Sequence, residues 1–129
     1  PIRAGARRVL VVEDDFRDQL QLIATLESVG YAVELASTGH EAIRLWRASR
    51  YDAITIDLLL PDMSGLELLA ALRREKTNAE TPIIVVTVVP DPRLVAGFAV
   101  HDILHKPLDR ETLLASLVRA GLSPPKETT

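Results

Sequence analysis

An α/β domain built on one parallel sheet, covered by helices on both faces, is predicted by three features of this chain. Short and almost wholly apolar runs alternate with longer segments of helical period. The runs carry no polar alternation, so as strands they need cover on each side, which is the habit of parallel sheets. The charged groups Glu13, Asp14, Asp57 and Lys106 stand at or just beyond the ends of such runs, as if delivered by strand ends.

Val9 to Val12 reads as the first strand. Phe16, Leu20, Ile23 and Leu26 then recur at helical spacing until Gly30 supplies a stop. Val33 to Ala36 is the second strand. Thr38 to Glu41 fits a capping box ahead of Ala42, Ile43, Leu45 and Trp46. Ala53 to Asp57 is the third strand, and after the loop Leu58 to Gly65 a second capping box, Ser64 to Glu67, opens a helix carrying Leu68, Leu69 and Leu72. Thr81-Pro82 introduces the most apolar run, Ile83 to Val89. Ile103 and Leu104 mark the fifth strand, and Asp109 can cap a last helix with Leu113, Leu114, Leu117 and Val118. Five strands alternating with five helices, under right-handed crossovers, predict a flavodoxin-like doubly wound (βα)5 sheet of order 2-1-3-4-5. That order brings the ends of strands one, three, four and five to one crevice, carrying Asp14, Asp57, Thr87 and Lys106.

At 129 residues the chain has room for one domain. A net charge of -3 argues against direct nucleic-acid contact. The absence of cysteine removes disulfides and thiolate metal sites and suits a reducing compartment. His40, His101 and His105 have no metal-ligand spacing. With no apolar stretch of membrane length and no signal-peptide pattern, a cytoplasmic domain without membrane contact is expected. The basic start and the tail Ser123-Pro124-Pro125-Lys126 have linker composition, so the expected layout is a linker over 1–6, the domain over 7–120 and a linker over 121–129, cut from something longer.

Val11-Val12-Glu13-Asp14-Asp15, the stretch Asp57-Leu-Leu-Leu-Pro-Asp-Met-Ser-Gly65, Thr87 and Lys106-Pro107 together resemble the receiver domain of two-component response regulators, from about Arg7 to Ala120. The resemblance implies that Asp57 is the phosphoacceptor, that a histidine kinase or histidine phosphotransfer domain is the donor, and that the domain promotes both the transfer and its later hydrolysis. The residues suit that chemistry. A carboxylate can attack phosphorus, and crowding Glu13, Asp14 and Asp57 into one site would cost several kcal/mol unless a cation sat among them. Mg2+ is implied, with Asp14 and Asp57 as direct ligands, Glu13 through water and the backbone carbonyl of Leu59. Lys106 would meet the remaining phosphoryl charge, and Thr87 would hydrogen-bond an oxygen.

Taken singly, each residue has a plainer reading. Asp57 suits a strand-end cap, Glu13 and Asp14 a solvated first helical turn, Thr87 strand filling and Lys106 the surface. Asp15 reads as helix-start charge and Asp62 as a turn residue outside the site. A flavin-binding or dehalogenase-type phosphatase alternative fits poorly. Glu13 to Asp15 would repel a phosphate loop, and Leu59 stands where the second dehalogenase aspartate belongs.

The chain departs from the family pattern at three places. Ile103 replaces the usual switching aromatic, Val88 replaces the usual small residue after the threonine, and Thr87 and Lys106 are closer in sequence than usual. Pro90 and Pro92 leave Arg93 to Phe98 room for a shortened fourth helix. The Gly97 to Pro107 pattern is similar to receivers of hybrid histidine kinases. These departures motivate an alternative function, a receiver-like interaction module with weak or no phosphorylation. Phe16, Gln19, Leu20, Pro107 and Leu108 are the expected partner-docking patch, although Phe16 also suits a helix staple and Leu20 a core position. Apolar Leu59 and Val89 imply slow self-hydrolysis, and Lys106-Pro107 is a candidate cis bond.

Overall fold

The computed structural model describes residues 6–89 and 91–122. In chain order it consists of β1 (Arg8–Val12), α1 (Phe16–Ser28), β2 (Ala32–Ala36), α2 (Gly39–Ala48), β3 (Ala53–Ile56), α3 (Gly65–Arg73), β4 (Ile83–Thr87), α4 (Pro92–Val95), β5 (Asp102–His105) and α5 (Arg110–Arg119), with a 3-10 turn, Ala96–Phe98, continuing α4. All strand pairs are parallel and the sheet order is β2-β1-β3-β4-β5, as the sequence predicts.

Although β1, β3 and β4 are apolar at nearly every position, the strand period still sorts them. Leu10, Val12, Ile54, Ile56, Ile83 and Val85 pack on one face against Trp46, Leu68, Leu69 and Leu72 from α2 and α3. Val9, Val11, Ala53, Ile84 and Val86 pack on the other against Leu22, Leu26, Leu113 and Leu117 from α1 and α5. Each such fully buried aliphatic side chain contributes roughly 1.5–3 kcal/mol. Trp46 is fully buried, and its indole N–H donates to the Leu72 carbonyl at 3.1 Å, so its polar atom does not oppose burial.

The predicted caps are in place. Thr38 accepts from the Glu41 N–H, Ser64 from Glu67 and Asp109 from Thr112. Asp15 caps α1 by accepting from the Asp18 N–H. Gly30 follows α1 at φ 97, a conformation that favours glycine.

In α1 the buried face is Gln19, Leu22 and Leu26, whereas Phe16 and Leu20 point outward. The apolar stripe read from sequence is therefore turned relative to the core, and Leu20 is not a core residue. Strand β4 ends at Thr87, leaving Val88 and Val89 exposed beyond it. The fourth helix is short, as expected; Pro90 lies outside the described residues. Leu122, assigned by sequence to the C-terminal linker, is buried and donates its N–H to the Leu117 carbonyl, so the packed chain extends past 120. Of the expected linkers 1–6 and 121–129, residues 1–5 and 123–129 lie outside the described residues. Among the described residues no helix is long and apolar enough to cross a membrane.

Candidate functional site

The chain leaves β1 toward β2 on one side and returns to β3 on the other, which opens a crevice beyond their C-terminal ends. Val12 pairs with Ile56, so the next residues, Glu13 and Asp57, emerge side by side. Their backbones are tied in as well: the Glu13 N–H donates to Ala36 O and the Asp57 N–H to Val12 O, each at 3.0 Å. At the other end of the crevice Thr87 pairs with His105, and the Lys106 N–H donates to Thr87 O at 2.9 Å.

These constraints gather the predicted acids. Glu13, Asp14 and Asp57 each offer a carboxylate oxygen within 4.8 Å of the others. Glu13 and Asp57 are buried, while Asp14 is exposed at the rim. The Lys106 ammonium stands among them, 2.6 Å from Glu13 Oε1 and 2.7 Å from Asp57 Oδ2. Asp57 Oδ1 accepts from the Leu59 N–H at 2.9 Å, which orients the carboxylate and brings the Leu59 backbone to the site. Thr87 is buried, and its Oγ1 accepts from the Val89 N–H at 3.4 Å, leaving the hydroxyl proton to be donated. The Lys106-Pro107 bond is cis.

One site residue was missed in the sequence. Asp18, in the first turn of α1, places Oδ2 2.7 Å from Lys106 Nζ. The three ammonium protons thus meet three carboxylates. Asp18 lies four residues after Asp14, one helical turn on, but nothing in its neighbours signals a partner 88 positions away.

With Asp14 beside Glu13 and Asp57, four carboxylates share the crevice with one ammonium and leave an excess of negative charge. Burial pushes the Glu13 carboxyl up to about 7, against the opposing bonds from Lys106 and the Asp15 N–H. Burial pulls the Lys106 ammonium down, but its bonds to Asp18, Asp57 and Glu13 outweigh this and hold it above the ordinary lysine range. Oxygen donors only, crowded and under-neutralised, fit a hard divalent cation such as magnesium.

The expected docking residues divide. Phe16 and Leu20 are 68% and 53% exposed, and Pro107 is exposed. Leu108 is half-buried, with its carbonyl accepting from Gln21 Nε2. Gln19 is a correction: it is buried, donating to the Glu13 carbonyl at 2.7 Å and to Ser37 Oγ, because it shares the inward face of α1 with Leu22 and Leu26. It braces the β1 end and offers no contact surface. Asp62, expected only to form a turn, accepts the Gly39 and His40 N–H groups at 2.9 Å each and so caps α2 from the loop before α3. Ile103 is partly buried against the α2/α3 side of the core, and Val88 is exposed beside the crevice.

Fold and site together define a doubly wound α/β domain with an acid-lined crevice and an opposing lysine at its topological switch point. The chain belongs to the response regulator receiver domain family of two-component systems, whose model matches residues 9–118. It is 39% identical over 113 residues to the response regulator MprA of Mycolicibacterium vanbaalenii, covering 85% of this chain and 48% of that protein. The chain spans about half the length of the curated relatives it matches. Among solved structures it is similar to chemotaxis protein CheY4 of Vibrio cholerae, with TM-score 0.85 and 32% identity over 90% of this chain and 99% of that one. It is also similar to the receiver domain of sensor histidine kinase PA1611 from Pseudomonas aeruginosa, with TM-score 0.83 and 32% identity over 92% and 100% of the two chains. That structure has magnesium coordinated in its active-site cleft.

Proposed function

We propose that this domain accepts a phosphoryl group on Asp57 from a phosphohistidine of a histidine kinase or histidine phosphotransfer domain. The observation that carries this reading is the Lys106 ammonium held 2.7 Å from Asp57 Oδ2, in a crevice where Glu13 and Asp14 approach the same carboxylate. An oxygen of Asp57 attacks phosphorus; a P–O bond forms as the P–N bond to the imidazole breaks, and the imidazole nitrogen keeps the electron pair and takes a proton from solvent. Lys106, freed from the esterified oxygen, pairs with a phosphoryl oxygen, and the Thr87 hydroxyl donates to another.

Asp14 and Asp57 would hold magnesium directly, Glu13 through water, and the Leu59 carbonyl would add an oxygen. When bound, the ion would neutralise the crowded carboxylates and draw charge from the phosphoryl oxygens. Leu59 and Val89 are exposed apolar residues, 61% and 60%, with no group to orient an attacking water, so self-hydrolysis is slow; a phosphorylated half-life of seconds is the contrary result.

Phe16, Leu20, Pro107 and the edge of Leu108 serve as the docking patch for the donor. A cytoplasmic setting and a hybrid-kinase parent belong to the same proposal, the latter supported by the short α4 and by likeness to the PA1611 receiver. Incubation with magnesium and a small phosphodonor adds one phosphoryl group by mass, and Asp57→Asn abolishes it. No mass shift in the unmutated chain would favour an interaction module without phosphorylation, the reading that exposed Val88 and the short α4 motivate.

A further inference from the structure

Lysine is a point charge on a four-carbon stem with many rotamers, so a lysine that must meet a phosphoryl oxygen needs something to aim it. Of the three carboxylates on Lys106, Asp57 loses its charge and one oxygen to the phosphoryl group when it is esterified. Glu13 and Asp18 remain. Glu13 is fixed at the end of β1, whereas Asp18 stands on α1, on a backbone held by the Asp15 cap.

On the α1 side a gap lies beside the lysine. A small cavity of about 20 Å³ lies between α1 and the turn after β5, lined by Asp18, Gln21 and Lys106 and by the apolar Leu22, Val86 and Leu113 among others. It has space for roughly one water, beside a Lys106 side chain that is itself only 11% exposed. Two polar contacts cross from α1: Asp18 accepts from the ammonium at 2.7 Å, and Gln21, on the same helix, donates to Leu108 O at 2.9 Å. Helix α1 therefore grips the lysine and its turn at two points.

We infer that Asp18 is a positioning residue, which holds the Lys106 ammonium so that its third proton faces the phosphoryl group. This rests on the phosphoacceptor reading above. Asp18 also carries charge, and the test separates the two effects. Asp18→Ala and Asp18→Asn remove the same charge, but only asparagine keeps an oxygen acceptor at that place.

The probe is beryllium fluoride, a phosphoryl mimic, titrated at saturating magnesium into the whole chain, with folding of each variant checked by its thermal midpoint. Asp18→Ala weakens binding about tenfold, the loss of one charge-assisted hydrogen bond of about 1.4 kcal/mol. Asp18→Asn restores most of that affinity. Equal affinities for the two variants, whether both weak or both unchanged, overturn the positioning role while leaving the phosphoacceptor reading intact. If the unmutated chain fails to bind the mimic, the phosphoacceptor reading falls and the role of Asp18 with it.

Discussion

Val12 of β1 and Ile56 of β3 are register partners in neighbouring parallel strands, and the residue following each is a carboxylic acid. Sheet register therefore forces Glu13 and Asp57 together whatever their mutual repulsion. With oxygens within 4.8 Å, each pair of ionised acids repels by about 3 kcal/mol at an effective dielectric of about 20, before Lys106 offsets part of it. The folding energy of the apolar strands holds that charge in place, and what the Lys106 ammonium leaves unneutralised relaxes through a further cation or a proton.

Removing one acid should therefore stabilise the metal-free protein. In chelator, Asp57→Asn is expected to gain about 1 kcal/mol, since asparagine can still accept from the Leu59 N–H but adds no charge. Magnesium should raise the urea midpoint of the unmutated chain and raise that of Asp57→Asn much less. An unmutated midpoint that ignores the ion would contradict the fit of the acid cup to a divalent cation.

Gly65 opens α3 where a side chain has no room. A Cβ there would lie 2.5 Å from the Cα of Leu58, a backbone atom next to Asp57. Gly65→Ala should cost about 1–3 kcal/mol by overpacking and slow phosphorylation by displacing the Leu58–Leu59 backbone. Gly97 is the control: nothing lies within 4 Å of its Cβ position, so Gly97→Ala should be neutral or stabilising by up to about 1 kcal/mol in the same denaturation assay.

The α2 N-terminus supplies a pH dependence. Desolvation raises the Asp62 carboxyl, but the backbone N–H groups of His40 and Gly39, with the His40 side chain, outweigh it and bring it down to about 2. A lowered folded value means that Asp62 contributes stability above its ordinary value near 3.8, and that this is lost as pH falls toward about 2. Asp62→Ala should melt earlier than the unmutated chain at neutral pH, and the two curves should converge near pH 2. Parallel curves throughout would refute the cap.

Much of this architecture is legible in the sequence because it rests on local signals. Apolar strand runs, capping hydroxyls at Thr38 and Ser64, and charges at strand ends need only neighbouring residues to be recognised. The face of α1 was harder. Phe16, Leu20, Ile23 and Leu26 make a stronger apolar pattern than one through Leu22, yet the buried face holds Leu22 and Gln19, whose amide is satisfied by the Glu13 carbonyl and Ser37. A buried glutamine is invisible to a hydrophobic period. Asp18 and Asp62 escaped for a related reason: their partners, Lys106 and the start of α2, are distant in sequence, and an aspartate in a helical turn or loop looks the same with or without them.

The outward turn of α1 leaves Phe16 and Leu20 free of the core. Phe16→Ala should change stability by no more than about 0.5 kcal/mol. If Phe16 meets the donor protein, transfer from a phosphohistidine partner should fall about tenfold, with phosphorylation by a small phosphodonor unchanged. Unchanged partner transfer would remove Phe16 from the docking patch.

Arg73 ties the segment that follows the short fourth helix to the end of α3. From the last turn of α3 its Nε donates to Phe98 O at 2.9 Å and its Nη2 to Ala99 O at 2.8 Å, with Nη1 at 3.5 Å from the carbonyls of Ala79 and Thr81. Ala99 sits at φ 53, where a Cβ costs roughly 1–2 kcal/mol, so the turn from the 3-10 segment into β5 depends on an external hold. Lysine cannot reproduce the fork, because an ammonium at one point cannot reach both carbonyl groups with the same planar geometry. Arg73→Lys should therefore cost about 1–2 kcal/mol and speed hydrogen exchange at the His101 N–H, which bonds Ile83 O where the chain enters β5. Ala99→Gly should recover about 1 kcal/mol in that background by relieving the positive φ. Protection at His101 that survives Arg73→Lys would show that β5 pairing alone holds this turn.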